Sequence, residues 1–233
     1  MTAATLTPTR SSRIPLSYVV ALVPVAAALN IVGSSINRAL GLPTFLDMIG
    51  TAVVAIVLGP WWGALVGVIT NFGGALILGP VELPFALVNV AGALVWGYGV
   101  RSFGMGATVL RFFLLNIVVA LVTSAVAAPI VAFVWGGATG HPSDALTVVF
   151  ENAGQGLFTA VLASNVLVTL ADKTISGFVA LSIIEALPPY LTHGIRLPAP
   201  TGMRPILLAV AGVVLGVGFL LVYLLVVKPL QPA

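Results

Sequence analysis

The 233-residue sequence has no cysteine and very little charge: nine Lys or Arg and six Asp or Glu make up 6% of it, against roughly a quarter in soluble domains. Without cysteine there are no disulfides, thiolate metal sites or cysteine nucleophiles, and the redox compartment stays open. Without charge there is no soluble fold, because 60% hydrophobic residues and a mean hydropathy of +1.19 exceed what a water-facing surface can cover. β-type alternation is nearly absent too, which leaves a helix bundle, the solution that pairs every backbone N–H and C=O internally in hydrocarbon. The sequence has no GxxxxGK[ST] loop for a nucleotide. It has no pair of acids three or four residues apart on a helix to hold Mg²⁺. Its two histidines, His141 and His193, fall in loops, so Ser34 after Gly33 has no intramembrane base. The basic residues are scattered over many loops, which argues against nucleic acid.

What is there is a series of apolar runs. Gly-Pro pairs and isolated charges cut them into helices near residues 17–40, 44–58, 61–79, 83–101, 107–135, 146–171 and 205–227. The second is about 22 Å long at 1.5 Å per residue, so it needs tilt, a thinned bilayer or shielding by protein. The stops AIVLGP at Pro60 and ALILGP at Pro80 are twenty residues apart, about 30 Å of helix, and therefore mark opposite faces of the membrane. Residues 172–190 are too short and interrupted for another span; they extend the sixth helix or lie along the inner interface. An N-terminus on the cytoplasmic side puts Arg10, Arg13, Arg101, Arg111, Lys173, Arg196 and Arg204 inside and only Arg38 and Lys228 outside, a clear positive-inside bias. A signal peptide competes for the N-terminus, but the apolar stretch after Arg13 is about twenty residues, too long for an h-region. Trp61, Trp62 and Trp135 fall at predicted interfaces, as headgroup anchors do.

In this orientation Asp47, Glu82, Asp144 and Glu151 are extracytoplasmic, and Asp172 and Glu185 are inside. A carboxylate at the bilayer centre costs about 3 kcal/mol or more, so Glu82 and Glu151 must face protein or water. Glu82, Phe85 and Asn89 follow i, i+3, i+7 spacing; Glu151, Asn152 and Gln155 lie within about 100° of one another. The first helix adds Asn30, Ser34, Asn37 and Arg38, and the third adds Asn71. One reading makes the asparagines interhelical glue, each contributing about 1 kcal/mol or less. The other is an outward-open, polar pocket bounded by loops one, three and five. Its candidate residues are Asn37, Arg38, Asp47, Asn71, Glu82, Phe85, Asn89, His141, Glu151, Asn152 and Gln155. Four outer carboxylates against two outer cations favour a cationic or amide- and hydroxyl-rich ligand over a polyanion.

The segment LPTFLDMIGTAVVAIVLGPWWGALVGVITN, followed by LPFALVN, SAVAAPI, GATGHPSD and ASNVLVTLADKTISG, resembles the substrate-binding S components of energy-coupling-factor transporters. The similarity covers residues 17 to about 190 and is greatest to the branch with an FLDxIGT motif, here Phe45 to Thr51. It implies a six-helix bundle in a bacterial or archaeal cell membrane that binds a vitamin or similar micronutrient from outside, with cobalamin the first candidate. No cofactor is expected, and no enzymatic activity. The implied partners are a transmembrane coupling subunit and two cytoplasmic ATPases. In that family a small-xxx-small face of the first helix docks on the coupling subunit; Ala26, Asn30 and Ser34 are the nearest equivalent here. The domain reading is a cytoplasmic tail over 1–16, the binding domain over 17–190, a Pro-rich linker over 191–204, and an additional helix with a short tail over 205–233. A secondary transporter and a membrane sensor are the alternatives. A secondary transporter usually shows inverted repeats and midplane charge, and here the ionisable residues are expected at the faces.

Overall fold

The computed structural model describes residues 15–198 and 204–227. Arg10, Arg13, Lys228, nearly all of the N-terminal tail and residues 199–203 of the Pro-rich linker lie outside the described residues. The described chain is helical, with no strand among the described residues. Its elements are α1 (Leu16–Ala39), α2 (Ile49–Val57), α3 (Pro60–Leu78), a 3-10 turn over Pro80–Phe85 leading into α4 (Ala86–Arg101), α5 (Val109–Pro129) with a π turn over Ile130–Val134, α6 (Asp144–Asn152), α7 (Leu157–Ala186), α8 (Pro189–Thr192) and α9 (Arg204–Val227). Five segments are long and apolar enough to cross a membrane: α1, α3, the Pro80–Arg101 segment, α5 with its π turn, and α7. This is a multi-pass helical membrane protein.

Local chemistry sets the boundaries. Pro60 and Pro80 each open a helical segment, where the missing N–H has no intrahelical partner to lose. Because α3 runs between them, the two Gly-Pro stops sit at opposite ends of the bundle. Thr108 caps α5 by accepting the Arg111 N–H (3.2 Å).

Two boundaries differ from the sequence reading. The second run becomes helical only at Ile49, because residues 40–48 fold as an irregular segment whose amides bond elsewhere. The sixth run, read as one helix over 146–171, is two: α6 ends at Asn152, a turn follows with Gly154 at φ +89°, and α7 then continues for 30 residues. Asp172 and Lys173, read as the inner end of that helix, lie at its middle and are buried. Their assignment to the cytoplasmic face is therefore corrected, and residues 172–186 extend the helix.

One end of the bundle gathers the last turns of α1 and α3, where Arg38 Nη1 donates to the Leu78 carbonyl (3.2 Å). At the other end Arg101 Nη1 donates to the carbonyls of Ile56 and Val57 (3.0 and 3.1 Å), closing the C-terminus of α2 with a cation. There too the Tyr190 hydroxyl meets that of Tyr18 (3.1 Å). Between the ends, α4, α5 and α7 pack around Trp96, Phe112, Leu115 and Phe178. Trp96 Nε1–H is satisfied by Asn116 Oδ1 (2.8 Å), as a buried indole requires.

The small-residue stripe of α1 faces inward, which corrects its reading as an exterior docking face. Ala26 and Asn30 are buried, and a Cβ at Gly50 of α2 would stand 2.2 Å from the Ala26 carbonyl oxygen. Ser34 spends its hydroxyl on the Ile31 carbonyl (3.0 Å). The outward face of α1 carries Val25, Val32 and Ile36 instead. Small residues in α9 do form a seam: a Cβ at Gly212 or Gly216 would come within 2.4 Å of Phe178 or 2.2 Å of Ile175 on α7. Close backbone approach of this kind holds helices together where lipid supplies no hydrophobic drive.

Candidate functional site

A cavity with a free volume of about 70 Å³ lies at the Arg38 end of the bundle. Its walls come from the end of α1 (Arg38), the irregular 40–48 segment (Phe45, Asp47), the 3-10 turn and α4 (Val81, Glu82, Phe85, Val88), α5 (Ala127), the loop before α6 (Thr139, His141) and α7 (Asn165, Thr169, Lys173). A smaller hollow of about 40 Å³ adjoins it, adding Ser34, Asn37 and Leu78 and sharing Arg38, Phe45, Asp47, Glu82 and His141. At the mouth Arg38 Nη2 pairs with Glu82 Oε1 (3.2 Å).

The floor is ionic. Lys173 Nζ lies 2.5 Å from Asp172 Oδ2 and 3.6 Å from Asp47 Oδ1, with 2% of the lysine side chain and none of Asp172 exposed. Charges removed this far from water persist only with good partners. Asp172 has them: its Oδ1 also accepts the N–H groups of Phe45 and Leu46 (3.0 and 2.8 Å). Leu46 reaches that geometry at φ +53°, the one non-glycine at positive φ among the described residues. Two successive amides turned onto one anion form a nest, and here the anion is the protein's own carboxylate. Asn37 secures the rest of the segment by donating to the carbonyls of Leu42 (3.1 Å) and Thr44 and accepting from the Thr44 hydroxyl.

From Asp47 a buried chain of hydrogen bonds leads away from the cavity. Asn89 Nδ2 donates to Asp47 Oδ2 (3.1 Å), and Thr51 Oγ1 donates to Asn89 Oδ1 (2.9 Å). Asn30 Nδ2 donates to Thr51 and Thr70 (2.9 and 3.0 Å), while its Oδ1 accepts the Gly50 N–H (2.7 Å). The chain ties α1, α2, α3 and α4 to one carboxylate. Asp47 Oδ1 is left buried without a hydrogen-bond donor.

The aromatic wall is made by Phe45 and His141, whose rings lie 4.7 Å apart at 31°. His141 Nδ1 accepts the Ser143 N–H (3.2 Å), and burial, the largest influence on this imidazole, lowers its pKa below the ordinary 6.5. It is therefore uncharged at neutral pH. Asp144 organises this loop, its Oδ2 accepting N–H bonds from Thr139, Gly140 and His141 (2.7, 2.8 and 3.2 Å).

Of the residues expected at the site, Arg38, Asp47, Glu82, Phe85 and His141 line the cavity, while Asn37 and Asn89 support it from behind. Asn71 is buried and spends its amide on the Gly67 carbonyl (2.9 Å) of its own helix. Glu151, Asn152 and Gln155 are exposed at and beyond the end of α6, outside the cavity, because the break after Asn152 separates them from the α7 face that enters it. Phe45, Thr169, Asp172 and Lys173 are the principal additions. The signal for the last two was in the sequence: the apolar pattern resumes beyond them (ISGFVALSII), so an Asp-Lys pair with apolar helix on both sides is an intramembrane ion pair. No three His, Asp or Glu side chains gather as metal ligands among the described residues.

Comparison with family models, with curated proteins and with solved structures finds no match. What the cavity can hold follows from its own residues.

Proposed function

We propose that this chain is a membrane-embedded binding subunit for uptake of a small vitamin-like micronutrient. In this reading it serves as the S component of an energy-coupling-factor transporter, powered by two partner ATPases through a transmembrane coupling subunit. The observation that carries the reading is the cavity itself. It lies at one end of the bundle, walled by five helical segments, with an aromatic face, an ion pair at the mouth and a buried ionic floor. A mostly apolar pocket with few, fixed polar groups is the form of a ligand site. The sequence motifs around Phe45 to Thr51 and the lack of any nucleotide loop point the same way. The proposed topology is a six-helix core, with α2 and the 40–48 segment together serving as the second crossing, plus α9 as a seventh helix. The N-terminus is cytoplasmic and the cavity opens outside. The small free volume of the cavity favours a ligand much smaller than cobalamin.

A specific observation also favours a second reading. The Asp172–Lys173 pair is buried at the middle of α7, and ionisable groups at such depth are a feature of ion-coupled secondary transporters. One experiment separates the two. The chain is expressed with its native neighbours, purified in mild detergent, and analysed by native mass spectrometry and against a vitamin panel. The binding-subunit reading expects a bound or tightly binding micronutrient and co-purifying coupling and ATPase subunits. Counterflow by the chain alone in proteoliposomes, driven by a proton or sodium gradient, would overturn it in favour of the second.

A further inference from the structure

The cavity has an unbalanced charge, and the imbalance sits on one residue. Three carboxylates, Asp47, Asp172 and Glu82, face two cations, Lys173 and Arg38, with His141 uncharged. Glu82 is matched by Arg38 at the mouth. Asp172 is matched three times over, by Lys173 and by two backbone amides. Asp47 is matched least: its Oδ2 accepts only the Asn89 amide (3.1 Å), and its buried Oδ1 shares, at 3.6 Å, an ammonium already held at 2.5 Å by Asp172. The Asn30–Thr51–Asn89 chain fixes the rotamer of that carboxylate, and about a fifth of its side chain remains exposed. Beside it stand the Phe45 and His141 rings, with Phe85 in the same wall.

We infer that the cavity selects a planar organic monocation bearing N–H donors, an amidinium or a protonated amino-heterocycle, with Asp47 as its counter-ion and Phe45 and His141 as its platform. A monocation brings the cavity's charges to balance and pairs with Asp47, the carboxylate that the protein itself matches least. An anion would double the excess charge in a low-dielectric site, where uncompensated charge is most costly. A ring offers its edge to the carboxylate and its face to the aromatic wall, and the same wall attracts a positive charge. The inference rests on the binding-subunit reading and narrows its ligand.

The test uses three probes of one shape and different charge: benzamidine, benzamide and benzoate. Each is titrated at millimolar concentration into the full chain in detergent or nanodiscs, with binding read by equilibrium dialysis and by the shift in unfolding midpoint. The expected order is benzamidine tightest, by about tenfold over benzamide, and benzoate weakest. Asp47→Asn preserves volume and the bond from Asn89, and should bring the benzamidine-to-benzamide ratio to about one. Glu151→Gln, exposed outside the cavity, leaves Asp47 in place and should retain the preference. The inference is overturned if benzamide or benzoate binds as tightly as benzamidine, or if Asp47→Asn leaves the preference intact. It is equally overturned if the vitamin panel yields a tight neutral or anionic ligand, and in that case the binding-subunit reading survives. If neither the probes nor the panel bind, both fail. Should Asp47→Asn fold poorly, wild-type competition between the panel ligand and benzamidine decides the charge preference alone.

Discussion

Replacing Lys173 with Met keeps the length of the side chain and removes its charge. In the wild type the ammonium lies 2.5 Å from Asp172 and 3.6 Å from Asp47, and the lysine is 2% exposed. Its loss leaves two carboxylates facing each other in a site that water barely enters. Removing one member of a buried pair typically costs about 3–5 kcal/mol, because the remaining charge is left uncompensated. Here the upper part of that range is expected, since two anions are affected. Asp172→Asn should cost less, about 2–3 kcal/mol. The Asn carbonyl still accepts the Phe45 and Leu46 amides, and Lys173 can turn to Asp47. The decisive measurement is the double variant Asp172→Asn/Lys173→Met, in which the pair is removed together. Its cost should fall at least 2 kcal/mol below the sum of the single costs, by the logic of a double-mutant cycle. Reversible unfolding in mixed SDS and mild-detergent micelles, followed by tryptophan fluorescence, gives the four free energies. Additivity within about 0.5 kcal/mol would refute the buried pair as described.

Three further outcomes are expected. A Cβ at Gly50 would stand 2.2 Å from the Ala26 carbonyl oxygen, so Gly50→Ala should push α2 off α1 and cost about 1–3 kcal/mol in the same unfolding assay; a neutral result would mean the two helices are not in close backbone contact. Burial lowers the folded-state pKa of His141 below 6.5, so the unfolded chain takes up a proton first as the pH falls. The contribution of this residue is therefore complete above about pH 6.5 and declines below it, and His141→Phe, which keeps a ring against Phe45, should flatten that decline. Glu151→Gln should change ligand affinity less than about twofold, because the side chain is exposed outside the cavity, whereas Glu82→Gln at the mouth should change it measurably; dialysis with the panel ligand compares them.

The helices were legible in the sequence because, in lipid, hydropathy and Gly-Pro punctuation report the same physical constraint. Pro60 and Pro80 ended helices where expected, and the polar stripe of Glu82, Phe85 and Asn89 points toward the cavity. Three features were not legible, each because a long-range contact overrides local pattern. The 40–48 segment is irregular because Asp172, 126 and 127 residues away in the chain, takes its amides. The apolar ISGFVALSII beyond Asp172 and Lys173 signals their mid-helix position, but nothing local signals their pairing with Asp47. Ala26, Asn30 and Ser34 look like an exterior stripe, yet Asn30 is the hub of a buried network, and only the positions of Gly50, Thr51 and Thr70 reveal it.

Those contacts also explain why fold and site cannot be separated in this bundle. Between helices in hydrocarbon the hydrophobic effect supplies no net attraction, so close packing and buried hydrogen bonds specify the arrangement. Here the hydrogen-bonded chain that joins α1, α2, α3 and α4 ends on Asp47, and the ion pair that joins α7 to the 40–48 segment ends there too. A ligand that pairs with Asp47 therefore joins a network spanning five helices. The stabilisation it gives should exceed what its own small contact area provides at about 25 cal/mol per Å². The comparison is direct: in Asn89→Leu, which interrupts the chain one residue from the cavity, the panel ligand should still bind, but the rise in unfolding midpoint at saturating ligand should be clearly smaller than in the wild type. An undiminished rise would show that the cavity and the helix contacts are energetically independent.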